Sequence, residues 1–195
     1  MRRPVFETER LILRPLRKID YLTWYNANVH AKPKQSPWDH GPRAAETCSI
    51  RRFHFVIKKH RDFARKDDWY YWGLFEKRSG NLVGHIDIDI FDRSEQQFAN
   101  FGYYVHNQFY GQGYGREAAA MGLRIAFSFL KLNRVEAAIN IGNRKSIRLA
   151  RMIGMRHECV RKRYWYENGK WTDHVIYVAN PEDIGLKARP PKGRK

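Results

Sequence analysis

Three glycines stand at alternate positions directly before a predicted helix, in the stretch FYGQGYGREAAAMGLRIAF of residues 109–127. Gly111, Gly113 and Gly115 let the backbone approach another group without a Cβ in the way. The first N–H groups of a helix lack an internal partner, and the helix dipole adds partial positive charge there. A glycine-rich turn that leads into a helix is therefore a candidate site for a pyrophosphate.

Two common phosphate-binding motifs do not fit this stretch. A P-loop ends in Gly-Lys-Ser/Thr, whereas this turn ends in Gly115, Arg116 and Glu117. A dinucleotide-binding fingerprint has the spacing G-x-G-x-x-G at the start of a parallel βαβ unit. Here the spacing is G-x-G-x-G, and the strands before it are predicted to be antiparallel. A plain tight turn is the alternative that stays open.

Polar and apolar residues alternate in HIDIDI, residues 85–90, which predicts a strand with His85, Asp87 and Asp89 on one face. Residues two apart on a strand are separated by roughly 6.6–7 Å, which is too far for three ligands of one ion. We therefore predict no metal site. One hypothesis is that Asp87 or His85 faces an acceptor cleft, where it orders a water or binds a cationic amine. The alternative is a solvated strand face.

Two aromatic clusters, WYYW at residues 69–72 and RYWY at residues 163–166, are compatible with base stacking. Because strands alternate faces, packing in the core is the favoured interpretation, followed by the walls of an acceptor cleft. No RNP-like or KH-like signature accompanies these clusters, which disfavours a dedicated RNA-binding module.

These residues must be positioned by an alternation of strands and helices. Side-chain alternation predicts strands at residues 10–16, 69–76, 82–90, 98–105 and 134–140, and two more around the turn ENGK at 167–170. Apolar spacing predicts helices at residues 20–30, with Asp20 as its cap, at 43–63 and at 143–155, and one from the glycine turn to Leu130. The strands between residues 69 and 105 should form an antiparallel meander.

The chain has 195 residues and a formal net charge of +17. This length suits one domain, predicted at residues 1–180, with a basic, flexible tail at residues 181–195. The charge favours acidic partners such as RNA or phosphate-bearing cofactors, or it merely keeps the surface solvated. No signal peptide and no apolar run of about 20 residues occurs, so we predict a cytoplasmic protein without membrane contact. Cys48 and Cys159 are predicted to be packed free thiols.

Four segments, in this order, resemble the GNAT superfamily of acetyl-CoA-dependent N-acetyltransferases, in its RimJ/RimL-like branch of ribosomal-protein N-terminal acetyltransferases. ETERLILRPL resembles the opening strand of that branch, and FGYYV followed by GQGYGREA resembles its central strand and pyrophosphate loop. NRKSIRLARMIGM resembles its Asn-x-x-Ser helix, with Met155 in an aromatic position, and RYWYENGKWTDHVIYV resembles its closing hairpin. The resemblance covers residues 7–179.

The resemblance implies an α/β GNAT fold: a mixed, mostly antiparallel sheet of about seven strands with splayed central strands, flanked by about four helices. It implies acetyl-CoA as the co-substrate, with its pantetheine arm between the splayed strands and no metal. Tyr104 and Val105 would offer backbone groups to that arm, and Asn143 would contact the cofactor near the thioester. The residues implied around the pyrophosphate are Gln112, Gly113, Tyr114, Gly115 and Arg116.

Several positions depart from the family's pattern. Tyr110 stands where the loop often has Arg or Gln, and Gln108 is the nearest substitute. Asn100 replaces a glutamate and cannot act as a base, and Ala150 replaces a tyrosine acid. Ser146 is then a candidate donor to the thiol or the pantetheine, or a hydroxyl that bonds its own helix backbone. The candidate catalytic residues are Asn143, Ser146, Asp87 and His85.

The implied reaction is direct attack of a primary amine on the thioester of acetyl-CoA, and a protein N-terminal α-amine is the favoured acceptor. An α-amine, whose ordinary pKa is about 7.7–8, needs less help to lose its proton than a lysine, whose pKa is about 10.4. Implied partners are a ribosomal or other protein N terminus and, through the positive surface, RNA or the ribosome, with the chain as a monomer or homodimer. Two alternatives stay open: an acetyltransferase for a small amine (amino acid, antibiotic, sugar or polyamine), or a silent GNAT fold that binds nucleic acid.

Overall fold

The computed structural model describes residues 4–191. The chain divides into two compact units, of which unit 1 comprises Met1–Asp87 and Tyr103–Met121, and unit 2 comprises Ile88–Gly102 and Gly122–Lys195. Unit 1 contains the glycine turn and residues 85–87 of the stretch HIDIDI. Unit 2 contains Asn143 and Ser146.

Eight strands and four α-helices form in the described part of the chain. The strands are β1 (Phe6–Glu7), β2 (Leu11–Arg14), β3 (Trp69–Glu76), β4 (Leu82–Asp92), β5 (Phe98–Val105), β6 (Arg134–Asn140), β7 (Arg156–Glu167) and β8 (Lys170–Ala179). The helices are α1 (Tyr21–Val29), α2 (Ile50–Lys66), α3 (Tyr114–Arg124) and α4 (Arg144–Met152). The expected number of about seven strands was one short, because the two residues of β1 are too few to show an alternation.

Strands are hydrogen-bonded in the order β1-β2-β3-β4-β5 in unit 1 and β4-β5-β6-β8-β7 in unit 2, so that β4 and β5 belong to both. β1 and β2 pair antiparallel, as do β2 and β3, β6 and β8, and β7 and β8. β5 and β6 are parallel, with a register from Phe98 opposite Arg134 to Asn100 opposite Glu136. The predicted mixed, mostly antiparallel α/β sheet is confirmed.

The core of unit 1 lies between α1, α2 and the strands that they cover. Trp24 of α1 and Phe53 of α2 are 6% and 0% exposed, and their ring centroids are 5.1 Å apart. Cys48 is fully buried in the same cluster, whereas Cys159 is partly buried, and both are free thiols as predicted. α2 begins at Ile50 rather than at 43 because the Ser49 hydroxyl accepts the Arg52 N–H at 3.2 Å, which caps the helix there.

Two helix predictions needed correction. α3 ends as an α-helix at Arg124 and continues as a π-helical turn, Ile125–Phe129, in which the Leu130 N–H donates to the Ile125 carbonyl at 2.9 Å. Asp20 precedes α1 but makes no side-chain cap to it. Its carboxylate instead accepts hydrogen bonds from the Arg17 N–H and from both terminal nitrogens of the Arg14 guanidinium.

The predicted tail starts with ordered structure, because Pro181–Ile184 form a 3-10 helix and Pro181 is buried. Residues 192–195 of that tail lie outside the described residues. Within residues 4–191, no helix combines the length and the apolar character that crossing a membrane requires.

Candidate active site

The glycine turn reaches the start of α3 through two residues with left-handed backbone. Gly111 and Gly113 have φ of 80° and 81°, a region that L side chains rarely adopt. A Cβ built at Gly111 meets no other atom within 4 Å, so the space in front of the turn is open. Gly115 already lies inside α3, and its contribution is a backbone N–H without a side chain.

The N–H groups at the start of α3 precede its first internal hydrogen bond. The Glu117 N–H donates to the Gly113 carbonyl at 3.2 Å, so the N–H groups of Tyr114, Gly115 and Arg116 come before that bond. Open space, left-handed glycines and N–H groups at a helix N terminus together fit a pyrophosphate. The side chain of Tyr114 takes no part, because it is 4% exposed and its hydroxyl donates to Glu76.

A distant salt bridge holds this turn in place. The Arg10 guanidinium lies 2.7 Å from the Glu117 carboxylate and also donates to the Gln112 carbonyl at 2.8 Å. The Thr8 hydroxyl donates to the same carboxylate at 2.5 Å. Burial opposes ionisation of Glu117, but the hydrogen bonds from Thr8 and Arg10 outweigh it and lower its pKa. No local signal in the sequence points to Arg10, which is over a hundred residues away from the turn.

Two positions that depart from the family's pattern are bound to other parts of unit 1. The Tyr110 hydroxyl donates to the Asp39 carboxylate at 2.8 Å. The Gln108 side-chain amide donates to the Ala27 carbonyl at 3.1 Å. Both side chains therefore fasten the segment before the glycine turn to α1 and to the loop that follows α1.

Unit 1 also holds a cavity of about 220 Å³ with an unusual lining of imidazole and phenol rings. Four histidines contribute, each from a different segment: His40 from the loop after α1, His60 from α2, His85 from β4 and His106 from the end of β5. The remaining lining residues are Trp24, Asn28, Gly41, Arg43, Val56, Tyr71, Leu82 and Tyr104. Of this set, the sequence singled out His85, Tyr104 and, within the cluster WYYW, Tyr71.

Tyr104 lies at the centre of three of the imidazoles. Its ring centroid is 4.8 Å from that of His40, 5.4 Å from His85 and 5.2 Å from His106. The predicted role of Tyr104 was a backbone contact, and the structure adds its ring as a wall of the cavity.

Tyr71 connects the fourth imidazole to the others. Its ring stacks on His85, with centroids 4.7 Å apart, and on the other side lies 4.2 Å from His60. One nitrogen of the His60 imidazole, Nδ1, is buried without a hydrogen bond among the described residues.

All four imidazoles are poor bases in this setting. Burial, and after it the neighbouring imidazoles of His106 and His40, lower the pKa of His85 to about 3. Burial also lowers the pKa of His60 and of His106 to about 4, and burial followed by the charge of Arg43 lowers that of His40. The rings are neutral at pH 7, and a neutral imidazole can accept a proton. Of the residues that the structure describes, no group of three or more His, Cys, Asp or Glu could hold a metal ion.

The alternation in HIDIDI is confirmed, because Ile86 and Ile88 are fully buried while His85 and Asp87 are partly exposed. The Asp87 carboxylate lies 3.8 Å from Nε2 of His85 and accepts the indole N–H of Trp69 at 3.3 Å. His85 lines the cavity, Asp87 is not among the lining residues, and Asp89 is exposed in unit 2.

The candidate residues of unit 2 surround the start of α4. Asn143 is the N-cap, and its side-chain oxygen accepts the Ser146 N–H at 3.2 Å. Ser146 is partly buried, and Ala150 is fully buried in the core. Asn100 is partly buried on β5, opposite Glu136.

The aromatic clusters have different fates in the two units. In β3, Trp72 is buried and Tyr71 lines the cavity, which agrees with both favoured interpretations. In β7, Trp165 and Tyr166 are 58% and 59% exposed, so the prediction of core packing was wrong for these two rings. β7 is the last strand in its sheet order, where one edge lacks a neighbouring strand among the described residues.

Comparison with known proteins gives a consistent result. Residues 10–156 match the model of the acetyltransferase (GNAT) domain family. The Probable N-acetyltransferase YjcK of Bacillus subtilis (strain 168) is 30% identical over 142 residues, 72% of this chain and 78% of that protein. The [Ribosomal protein uS5]-alanine N-acetyltransferase of Escherichia coli (strain K12) is 23% identical over 90% of both chains. The solved structure of Mycobacterium smegmatis RimJ in complex with CoA-disulfide has a TM-score of 0.76 and 24% identity, covering 91% of this chain and 85% of that one.

Proposed function

The chain belongs to the GNAT acetyltransferase family, and we propose that it transfers an acetyl group from acetyl-CoA to the N-terminal α-amine of a protein. Its relatives and structural neighbours include RimJ/RimL-like ribosomal-protein acetyltransferases. A ribosomal or other cytoplasmic protein is therefore the proposed acceptor, and the cytoplasm is the proposed location.

The donor, acetyl-CoA, is proposed to bind at the glycine turn. The N–H groups of residues 112–116 would hold its pyrophosphate, and the open space at Gly111 supports this assignment. Backbone groups of Tyr104 and Val105 would bind the pantetheine arm. In unit 2, Asn143 is the proposed contact near the thioester, and Ser146 the proposed hydrogen-bond donor to the leaving thiol.

The imidazole-lined cavity is the observation that favours an α-amine as acceptor. Its described lining contains neutral imidazoles, phenols and one arginine but no carboxylate, so it offers no anion to pair with an ammonium ion, and the charge of Arg43 opposes one. The proposed acceptor therefore enters as an uncharged amine. An α-amine, whose pKa is about 7.7–8, loses its proton near pH 7 at little cost in free energy. The pKa of a lysine or a polyamine is over two units higher, so its deprotonation costs more free energy.

His85 is proposed to accept a hydrogen bond from the acceptor amine and so to orient it. Its pKa of about 3 makes it too weak a base at pH 7, so water is the proposed proton acceptor. The amine nitrogen forms a bond to the acetyl carbon, the carbon–sulfur bond breaks, and one amine proton passes to water. The Asp87 carboxylate, 3.8 Å from Nε2 of His85, is a proposed positioning partner of that imidazole.

Contact with RNA or the ribosome is proposed to involve α2. This helix has one carboxylate, Asp62, and seven exposed cations: Arg51, Arg52, Lys58, Lys59, Arg61, Arg65 and Lys66. Replacing Arg51, Lys58 and Arg65 together by Gln should lower the slope of log affinity for single-stranded RNA against log salt by about 2, since each phosphate contact contributes about 0.7. An unchanged slope would place the RNA contact elsewhere or remove it.

Three acceptors at a pH of about 7.5 test the acceptor class: a peptide with a free α-amine and no lysine, a peptide with a blocked N terminus and one lysine, and spermidine. Release of the CoA thiol and the mass of the product are followed together. We expect acetylation of the first acceptor at least about tenfold faster than that of the others, given their amine pKa values. Preference for the lysine peptide or spermidine would refute the α-amine proposal.

A further inference from the structure

The lining of the imidazole-lined cavity contains a cation but no carboxylate. Arg43 is the only lining residue with a permanent charge, and it is exposed at the mouth. Among the described residues it forms no ion pair. Its guanidinium is therefore available to an anion that enters the cavity.

The carboxylates near the cavity are already committed. Asp39 is 3% exposed and accepts hydrogen bonds from the Tyr110 hydroxyl at 2.8 Å, the Ser36 hydroxyl at 2.7 Å and the Gln35 N–H at 2.9 Å. Asp87 accepts the Trp69 indole N–H and lies 3.8 Å from Nε2 of His85. Both carboxylates therefore have hydrogen-bond donors of their own, and neither belongs to the cavity lining.

The volume of the cavity limits what can fill it. Pockets for drug-sized ligands measure about 300–1,000 Å³, whereas this cavity measures about 220 Å³. It has room for about one amino-acid residue, so we consider only a group on the residue that carries the acceptor amine.

We propose that the cavity binds a carboxylate on the same residue as the acceptor α-amine. This inference rests on the proposed function, and it names aspartate or glutamate as the preferred first residue of the acceptor. A free amino acid offers the same chemistry through its α-carboxylate. A guanidinium can bind a carboxylate through two parallel N–H groups, and the imidazole N–H groups can serve its remaining lone pairs.

Four peptide amides test this preference, all without further lysine and identical except for a first residue of Glu, Gln, Ala or Lys. We expect kcat/KM for the Glu peptide to exceed that for the Gln peptide about tenfold, and the Lys peptide to be the slowest. Free glutamate, free alanine and their α-amides form a second arm. If free amino acids are acetylated and the peptides are not, the carboxylate is the α-carboxylate, and the protein acceptor of the proposed function is wrong.

The variant Arg43→Gln should reduce the Glu/Gln ratio to about twofold or less. Arg78→Gln is the matched control, because Arg78 is an exposed arginine of the same unit outside the cavity lining, and it should keep the full ratio. Melting temperature and acetyl-CoA affinity show that both variants are folded. Equal rates for the Glu and Gln peptides would overturn the inference and leave the proposed function standing. Failure of every peptide and free amino acid would overturn both.

Discussion

The glycine turn and the imidazole-lined cavity lie in the same unit but are built in opposite ways. The turn offers backbone N–H groups from consecutive residues, 111–116, and its side chains are exposed or used elsewhere. The cavity offers side chains from helices, strands and a loop between residues 24 and 106. A site made of backbone is encoded by a local motif, whereas a site made of side chains is encoded by the fold that brings them together.

This difference predicts where each site is sensitive. The turn should tolerate changes of its exposed side chains and fail when its backbone conformation is lost. The cavity should tolerate substitutions that change only the conformational preference of the backbone. It should lose its function when one ring is replaced or when the close approach of two strands is disturbed. Variants of both sites test this contrast, and their expected effects decrease from the strands of the cavity wall to the salt bridge behind the turn.

The strongest test concerns the strand approach that forms the cavity wall. A Cβ at Gly84 would lie 2.1 Å from the Tyr104 carbonyl oxygen and 2.9 Å from the Cα of Val105. Since backbone cannot yield as a side chain can, Gly84→Ala should lower the free energy of unfolding by about 3 kcal/mol or more. Urea denaturation measures this loss. In the control Gly80→Ala, the new Cβ meets nothing within 4 Å at a φ of 72°, so about 1 kcal/mol of strain is expected. Equal losses in both variants would contradict the clash.

Removal of the imidazole that is proposed to orient the amine comes next. His85→Gln keeps a polar side chain of similar reach but removes the imidazole, and kcat should fall about 100-fold if His85 orients the attacking nitrogen. His54→Gln is the matched control, because His54 lies on α2 outside the cavity lining. With an α-amine acceptor, the wild-type rate should fall below the amine pKa without a separate histidine limb down to a pH of about 5, since the pKa of His85 is about 3. A normal kcat in His85→Gln would refute the orienting role of this imidazole.

The neutral imidazoles also predict acid lability. A histidine whose pKa is lowered in the fold stabilises the protein above its unfolded pKa, about 6.5, and this contribution is lost as the pH falls towards the folded value. For His85 the window runs from pH 6.5 down to about 3. Between about pH 7 and about pH 4, wild type should lose about 2 kcal/mol more than His85→Gln. Parallel stability curves for the two proteins, from urea denaturation at each pH, would contradict a neutral His85.

The sequence predicted the local backbone features well and the features made of distant side chains poorly. β5 and β6 were predicted with their observed bounds, because side-chain alternation and turn residues are local properties. The turn was found from its glycines alone. Arg43 and His60 carry no local signal, since a loop arginine and a helix histidine become part of a cavity only when α2 packs against β3. The exposure of Trp165 was missed for the same reason, because an edge strand is defined by its neighbours.

A change in the backbone of the turn should weaken donor binding. Gly113 has a φ of 81°, and Gly113→Val places a β-branched residue in that conformation, about 3.2 Å from the Arg10 guanidinium. The dissociation constant for acetyl-CoA, measured by calorimetry, should rise at least about tenfold, which corresponds to about 1.4 kcal/mol of strain or lost contact. Gln112→Ala, which keeps the backbone, should stay within about twofold of wild type. A larger effect of Gln112→Ala than of Gly113→Val would reverse the contrast between the two sites.

The smallest effect should come from the salt bridge that supports the turn from a distance. Arg10→Gln removes the 2.7 Å contact with Glu117 and weakens the hold on the Gln112 carbonyl, but it leaves the glycines and the start of α3 unchanged. Arg10 is substantially exposed, with 43% of its side chain accessible, so its bridge should contribute less than about 1 kcal/mol. We expect the acetyl-CoA dissociation constant to rise about threefold and the Glu/Gln acceptor ratio to stay constant. Lys77→Gln, which removes another partly exposed ion pair of unit 1, should change neither value. A loss of acceptor preference in Arg10→Gln would mean that the two sites do not work separately, because a contact confined to the turn would then control the cavity.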